Sequence, residues 1–427
     1  PVLLSTALRE SLSVYTVLFT VSSMTTATAN TAQYSFKWIA LLGLLTALGP
    51  LSIDMYMPAL PEMATEFGTT TIRISNSIPA YFFGLAIGQL IYGSLSDRIG
   101  RKKPLYIGLI IYCIGSILCI FAHTEWALIC ARVLQALGGC VGVVMARAAI
   151  RDSFDVRTSA QALAHMAMIL GIAPIIAPLV GAVLIQFFSW HSIFILLAIV
   201  GLISLCCVHY FFHETLPVDR RLNLSFKQVF ILYGNILSDR SFRTPMLAMA
   251  FFSGMMFCYL TSASALLMED LGFSQHQFAL AFGLNAFGIM LFSFTNSKIV
   301  KKVGPLPLLH LGGTLQLIGA IILLIDAFAV NVGTMWILVG LFIVVSGVGL
   351  TGPNATALAL SEQQNRAGTA SALMGSLQFA LGLFAGVLLS IFTGSILEDM
   401  ATTMMIYALL GLTCVYVIRH RAKKPTT

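Results

Sequence analysis

Apolar residues in this chain fall in long unbroken runs. They show neither the three-and-four spacing of a soluble amphipathic helix nor the alternation of a half-buried strand. About twelve runs stand out, at 38–58, 75–95, 105–122, 127–147, 161–185, 192–212, 245–268, 277–297, 308–327, 333–354, 368–396 and 400–418. A helix crosses the hydrocarbon of a bilayer with about 20 apolar residues. Inside lipid the backbone must satisfy its own hydrogen bonds, which leaves helices or closed barrels, and barrel strands alternate at every second residue. The pattern therefore predicts an all-α integral membrane protein of twelve transmembrane helices.

The polar stretches between runs are short, except for 213–244, a predicted cytoplasmic linker. It divides the chain into two six-helix halves, 38–212 and 245–418, with a basic tail at 419–427. Residues 1–37 form an N-terminal segment. Its run Val14 to Val21 is too short to span, and it lacks the basic n-region and cleavage site of a signal peptide. The first methionine is Met24, so residues 1–23 are expected to precede the native start and to be disordered.

Composition agrees with the runs. The 427 residues are 58% hydrophobic and 10% charged, against roughly 25% charged in a soluble domain. The net charge of +7 raises the question of nucleic acid, and the placement of the charges answers it. With the N-terminus taken as cytoplasmic, 20 of the 24 Lys and Arg lie in cytoplasmic loops or at their borders, Arg147 among them, and only Arg73 lies in an outer loop. Outer loops carry Glu62, Glu66, Glu125, Glu269, Asp270, Glu398 and Asp399 instead. This is the positive-inside asymmetry. It places both termini in the cytoplasm and spreads the basic charge too thinly for nucleic acid. Trp126, Trp190 and Trp336 fall at outer ends and Trp38 at an inner start, as in an aromatic belt.

The eight cysteines all lie in predicted spans without a CxxC pair, and read as core residues, not disulfides or metal ligands. There is no HExxH, GxSxG or GxxxxGK[ST] string, so neither an enzyme nor a chain driven directly by ATP is indicated, and no cofactor or metal is implied.

Two charges interrupt the runs. Asp54 lies four residues before Pro58 in the first span, and Arg132 six residues past Trp126 in the fourth. At 1.5 Å per residue both sit roughly 6–10 Å from the outer end. Intramembrane charges are expensive and mark ion or substrate paths. A pair in an aqueous cavity is expected, with Asp54 as proton carrier and Arg132 as its tuning partner; a purely structural salt bridge is the plainer alternative. Asp326 is expected at an outer helix end facing water. Gly84 with Gly88, and Gly138 with Gly142, carry the spacing of close helix packing. Pro174 and Pro178 should kink the fifth helix, as a hinge or as static packing. Met55, Tyr56, Gln89, Gln135, Asn285 and Asn354 are candidate cavity residues, with helix packing an equally open role for each.

Gly93-Ser-Leu-Ser-Asp97-Arg98-Ile-Gly100-Arg101-Lys102-Lys103 follows the second span. A degraded echo, Thr295 to Leu306, follows the eighth, so the halves read as repeats with a site between them. The string resembles the G-x-L-x-D-R-x-G-R-K signature loop of the major facilitator superfamily. Ala131 to Gly139 resembles that family's R-x-x-Q-G motif, with Ala136 in place of Gly. Gly171 to Leu184 resembles its G-x-x-x-G-P-x-x-G antiporter motif at Gly171, Pro178 and Gly181, with Ala177 departing. PLSIDMYMPALP in the first span, with HETLP at His213 to Pro217, resembles the Bcr/CflA drug-resistance exporters. The resemblance implies a major facilitator fold and a monomer in the bacterial inner membrane. It implies exchange of H⁺ for hydrophobic or amphiphilic drugs, and a cytoplasmic gate at Gly93, Asp97, Arg98, Gly100, Arg101 and Lys102. A transporter of one metabolite is the alternative on the same fold; a membrane-embedded enzyme or receptor finds no supporting domain.

Overall fold

The computed structural model describes residues 36–154, 156–221, 226–328, 333–361, 363 and 367–422. The expected start at Met24 and the expected disorder before it fall outside these residues. The helices are α1 (Phe36–Asp54), α2 (Leu60–Glu66), α3 (Thr71–Ser75), α4 (Ser77–Ile99), α5 (Lys102–Ile120), α6 (Glu125–Ser153), α7 (Val156–Phe187), α8 (His191–Phe211), α9 (Phe226–Ser238), α10 (Arg240–Ser264), α11 (Gln275–Val303), α12 (Pro305–Phe328), α13 (Thr334–Leu360), α14 (Ala367–Ile391) and α15 (Ile396–Ala422). Among the described residues, eleven segments are long and apolar enough to cross a membrane. The twelfth is α7, whose apolar Gly171–Phe187 stretch carries Pro178. The architecture is a twelve-helix membrane bundle in two halves.

The first span is broken where a continuous helix was expected. Pro50 interrupts its last turns, α1 stops at Asp54, and a short 3-10 turn at Met57–Ala59 leads into α2. Pro58 and Pro61 supply no N–H to an α-helical ladder, so two closely spaced prolines favour such a break.

Small residues let the helices of each half approach closely. A Cβ at Gly142 would collide with the Leu45 carbonyl of α1, and one at Gly138 with the Tyr112 backbone of α5. The two halves meet along α4 and α14, where Gly93 faces Ala372 and Gly386 faces Pro79. Where α4 ends, Gly100 has φ +92° and its N–H bonds Ser96 O at 3.1 Å. Where α11 ends, Gly304 has φ +87° and its N–H bonds Val300 O at 2.8 Å. A side chain disfavours positive φ, so both glycines terminate their helices in the same way. The echo between 93–105 and 295–306 thus has a structural counterpart.

Three expectations are corrected. The linker 213–244 is not merely polar loop: it contains the amphipathic α9, which buries Val229, Tyr233 and Ile236 along one face, and α10 starts at Arg240 rather than 245. Trp190 does not face lipid. It is fully buried, and its indole Nε1 donates to Glu66 Oε2 at 2.6 Å. Trp126 and Trp336 are exposed, as belt residues should be. Asp326 does not face water: it is 6% exposed and accepts the Gly333 N–H at 3.1 Å.

Gly142→Val should prevent α1 and α6 from packing and abolish the monodisperse peak in size-exclusion chromatography. Gly171→Ala meets no atom within 4 Å and should leave that peak intact.

Candidate functional site

A cavity of about 290 Å³ lies between the halves. Asp54, at the C-terminal end of the interrupted α1, forms part of its wall and is 5% exposed. Thr46 from α1, Gln89 from α4, Arg147 from α6, Tyr259 from α10, Asn285 from α11 and Gln378 from α14 are among its other polar groups. Phe257 and Phe379 stack at 5.4 Å between centroids, and Phe82 of the other half packs on Phe257 at 4.5 Å. The rest of the wall is largely aliphatic or aromatic, including Leu85, Met256 and Phe282.

The expected Asp54–Arg132 pair is not formed. Among the described residues Asp54 has no cation within 4 Å. Arg132 is fully buried, its guanidinium 4.3 Å from the ring centroids of both Tyr56 and Tyr81 and 5.9 Å from Phe194. Its Nη1 donates to Gln135 Oε1 at 2.5 Å, and Gln135 Nε2 donates to Ser116 Oγ at 2.8 Å. Among the described residues, Nε and Nη2 have no hydrogen-bond partner. Desolvated cation–π contacts contribute about 2 kcal/mol each, which offsets part of that cost. A matching position along the spans does not fix direction. Residues two apart on a helical path point roughly 200° apart, so the chain that turns Tyr56 onto Arg132 turns Asp54 toward the cavity.

Of the remaining candidates, Gln89 and Asn285 line the cavity, and Met55, Tyr56, Gln135 and Asn354 do not. Tyr56 and Gln135 belong to the Arg132 cage. Asn354 is buried in the other half, donating to Asn296 Oδ1 at 2.6 Å and Leu350 O at 2.8 Å. Of the α7 motif, Pro174 lines the cavity, Pro178 is buried, Gly181 abuts the Met55 carbonyl, and Gly171 has open space beside it.

At the basic end of the bundle, Arg101 organises the signature loop. Its Nε and Nη2 grip Asp152 at 2.7 and 3.4 Å, and its Nη1 reaches Asp97 Oδ1 at 2.6 Å and Ser96 Oγ at 2.8 Å. Asp97 and Arg98 share a small cleft with Gly93 and with Gly368 and Thr369, at the first turn of α14. Lys102 begins α5. Glu214, from the HETLP string, accepts the backbone N–H groups of Arg101, Lys102 and Leu216 at 2.8, 3.2 and 3.0 Å. The positive φ of Gly100 brings that backbone under the carboxylate. Asp152 was not singled out in the sequence, and HETLP carried no role there. The available signal was acidic residues among the basic loops. Burial alone would raise the Glu214 pKa, but the three amides and Arg221 outweigh it and hold the group below its ordinary value.

At the opposite, acidic end, side-chain bonds join the halves. Ser264 Oγ donates to Met57 O at 2.8 Å, Thr71 Oγ1 donates to Glu269, and His276 lies 3.2 Å from Gln186.

Two helical halves enclosing a polar-studded cavity at mid-bundle define a membrane transporter in architecture. The sequence model of the Major Facilitator Superfamily matches residues 42–387, and the chain belongs to that family. It is 32% identical over 373 residues to the Bacillus subtilis protein named "Uncharacterized MFS-type transporter YdgK", covering 87% of this chain and 92% of that one. It is 26% identical over 395 residues to the "Bicyclomycin resistance protein homolog" of Haemophilus influenzae, covering 92% and 99%. The "Multidrug resistance protein MdtL" of a Shewanella species is 25% identical over 393 residues, covering 90% and 96%. Among solved structures, the nucleoside transporter NupG superposes with TM-score 0.66 at 14% identity, covering 90% of this chain and 99% of that one. The human organic anion transporter MFSD10 superposes with TM-score 0.64 at 16% identity, with the same coverage.

Asp152→Asn removes one of the two carboxylates that Arg101 holds and should lower the melting temperature by several degrees. Glu214→Gln tests the loop by pH. A depressed folded-state pKa contributes stability above the ordinary value of 4.5, lost as pH falls through the folded value. The variant should melt below wild type at pH 7, and the gap should narrow below about pH 4.5.

Proposed function

We propose that this transporter is a proton-coupled antiporter that exports hydrophobic or amphiphilic antimicrobial compounds across the bacterial inner membrane by alternating access. The observation that carries the reading is Asp54, a carboxyl with no cation within 4 Å among the described residues, set against a mostly apolar cavity between the halves. An unpaired carboxylate there is costly, and binding a proton removes the charge. Aromatic walls with Met256 suit varied apolar cargo without fixing one shape. The printed names of the bicyclomycin-resistance and multidrug-resistance relatives support the cargo class.

In this reading both termini are cytoplasmic, the chain acts as a monomer, and the basic end faces the cytoplasm. The hydrogen bonds at the acidic end hold the outer side shut, so drug enters from the cytoplasm and proton from outside. Each charge moving inward gains about 2.3 kcal/mol per 100 mV. Arg132 acts at a distance: by gripping Tyr56 it fixes the α1 break and so the direction of Asp54. The Asp97–Arg101–Asp152 cluster against α14 is the cytoplasmic gate, and α7, with Gly171, Pro174, Pro178 and Gly181, flexes as the halves rock.

Drug uptake into inverted vesicles should follow the imposed proton gradient, and Asp54→Asn should cut the gradient-driven component at least tenfold. Uptake indifferent to both collapse of the gradient and the substitution rejects the reading.

A further inference from the structure

Arg147 is the one cation in the wall of the central cavity, among the described residues. It also lines a cleft of about 320 Å³ that shares Gly375 and Gln378 with that cavity. Arg151, one helical turn on, lines the same cleft. Residues four apart on a helix are neighbours on one face, and like charges there repel. Both arginines are exposed to the cleft. Among the described residues, neither has a carboxylate within 4 Å or a hydrogen bond to a side chain or backbone.

Two acids described at this end of the bundle are committed elsewhere. Asp97 and Asp152 are both held by Arg101, although Asp97 shares a further small cleft with Arg147 and Arg151. A structural role would pair these guanidiniums, as Arg101 is paired; a solvated loop role would not set one of them in the cavity wall. Around them, Ser159, Ser371 and Gln378 add hydrogen-bonding groups, while Leu163, Met249 and Met374 supply apolar contact. The cleft therefore offers positive charge and polar donors beside greasy, adaptable surface.

We infer that Arg147 and Arg151 form an anion-selecting entrance to the central cavity, and that the preferred cargo is an apolar body carrying one carboxylate, sulfonate or phosphate. This rests on the transport reading above and narrows its substrate class. The same chemistry describes a free amphiphilic anion and an anionic lipid, whose headgroup would present the charge and whose chains the apolar surface.

The test is equilibrium binding to the full chain in phosphatidylcholine nanodiscs, with no proton gradient. Radiolabelled 2-naphthoate, 2-naphthamide and 2-naphthylmethylammonium serve as probes, sharing one ring system and differing in charge. Wild type should bind the carboxylate most tightly. Charge-assisted hydrogen bonds correspond to about tenfold or more in Kd. Arg147→Gln should therefore weaken naphthoate about tenfold and leave the amide unchanged; unchanged amide binding also shows that the variant is folded. Arg147→Lys should keep most of the preference. Arg151→Gln should weaken naphthoate by a smaller factor. Displacement of naphthoate by phosphatidylglycerol in the disc supports the anion site and names lipid as its occupant; indifference to that lipid supports the free anion. Equal binding of the three probes, or naphthoate binding unmoved by Arg147→Gln, overturns the inference. Because the assay has no gradient, such a failure leaves proton-driven export through Asp54 standing, whereas a gradient-independent vesicle assay would sink the export reading and not the anion preference.

Discussion

A carboxylate in an apolar bundle persists only where a countercharge, water or a proton can reach it. In this chain that constraint falls on Asp54, and the surrounding structure is arranged around it. The first span is interrupted at the residue itself, so the side chain projects from a helix end. The halves part just enough at mid-bundle to leave a cavity beside it, and they are stitched together at the acidic end. Had Asp54 found Arg132, the pair would have satisfied both groups and left the cavity wall without a free carboxyl. Each charge instead has its own solution: the guanidinium in an aromatic cage, the carboxyl at a void.

The two ends of the bundle follow different physics. At the basic end, charge is bound into a network. Arg101 reads two carboxylates at once with its planar fork, which an ammonium cannot do. Glu214 pins the following turn through backbone amides, so the loop is held as one body with the end of α8. Arg147 and Arg151 stand beside this network but outside it, and that contrast gives the cleft its positive character. At the acidic end the bonds between halves are few and single. A transporter that alternates needs contacts of that kind, firm enough to hold one state and few enough to be exchanged for another.

The family relationship fixes the fold, and the low identities to relatives leave the cargo to the cavity walls. Those walls are mostly replaceable apolar contacts, with a handful of polar groups contributed by both halves. Promiscuous sites use adaptable surfaces of that kind, and among the described residues Arg147 is the one cation set in them.

The spans, their number and the charge asymmetry were legible in the sequence because lipid imposes them directly: length, apolar continuity and loop charge are one-dimensional properties. The signature loop was legible because Gly100 must take a positive φ and its neighbours must cluster charge. Position along a span is also one-dimensional, since 1.5 Å per residue converts it into height along the helix axis. Azimuth was not. Whether Asp54 faces Arg132 or the cavity, whether Asn354 faces cargo or Asn296, and whether Trp190 meets lipid or Glu66 depend on the rotation of each helix about its own axis. In a run apolar all round, no stripe of sequence marks that rotation; it is set by which small residues let which backbones touch, and only packing in three dimensions decides it.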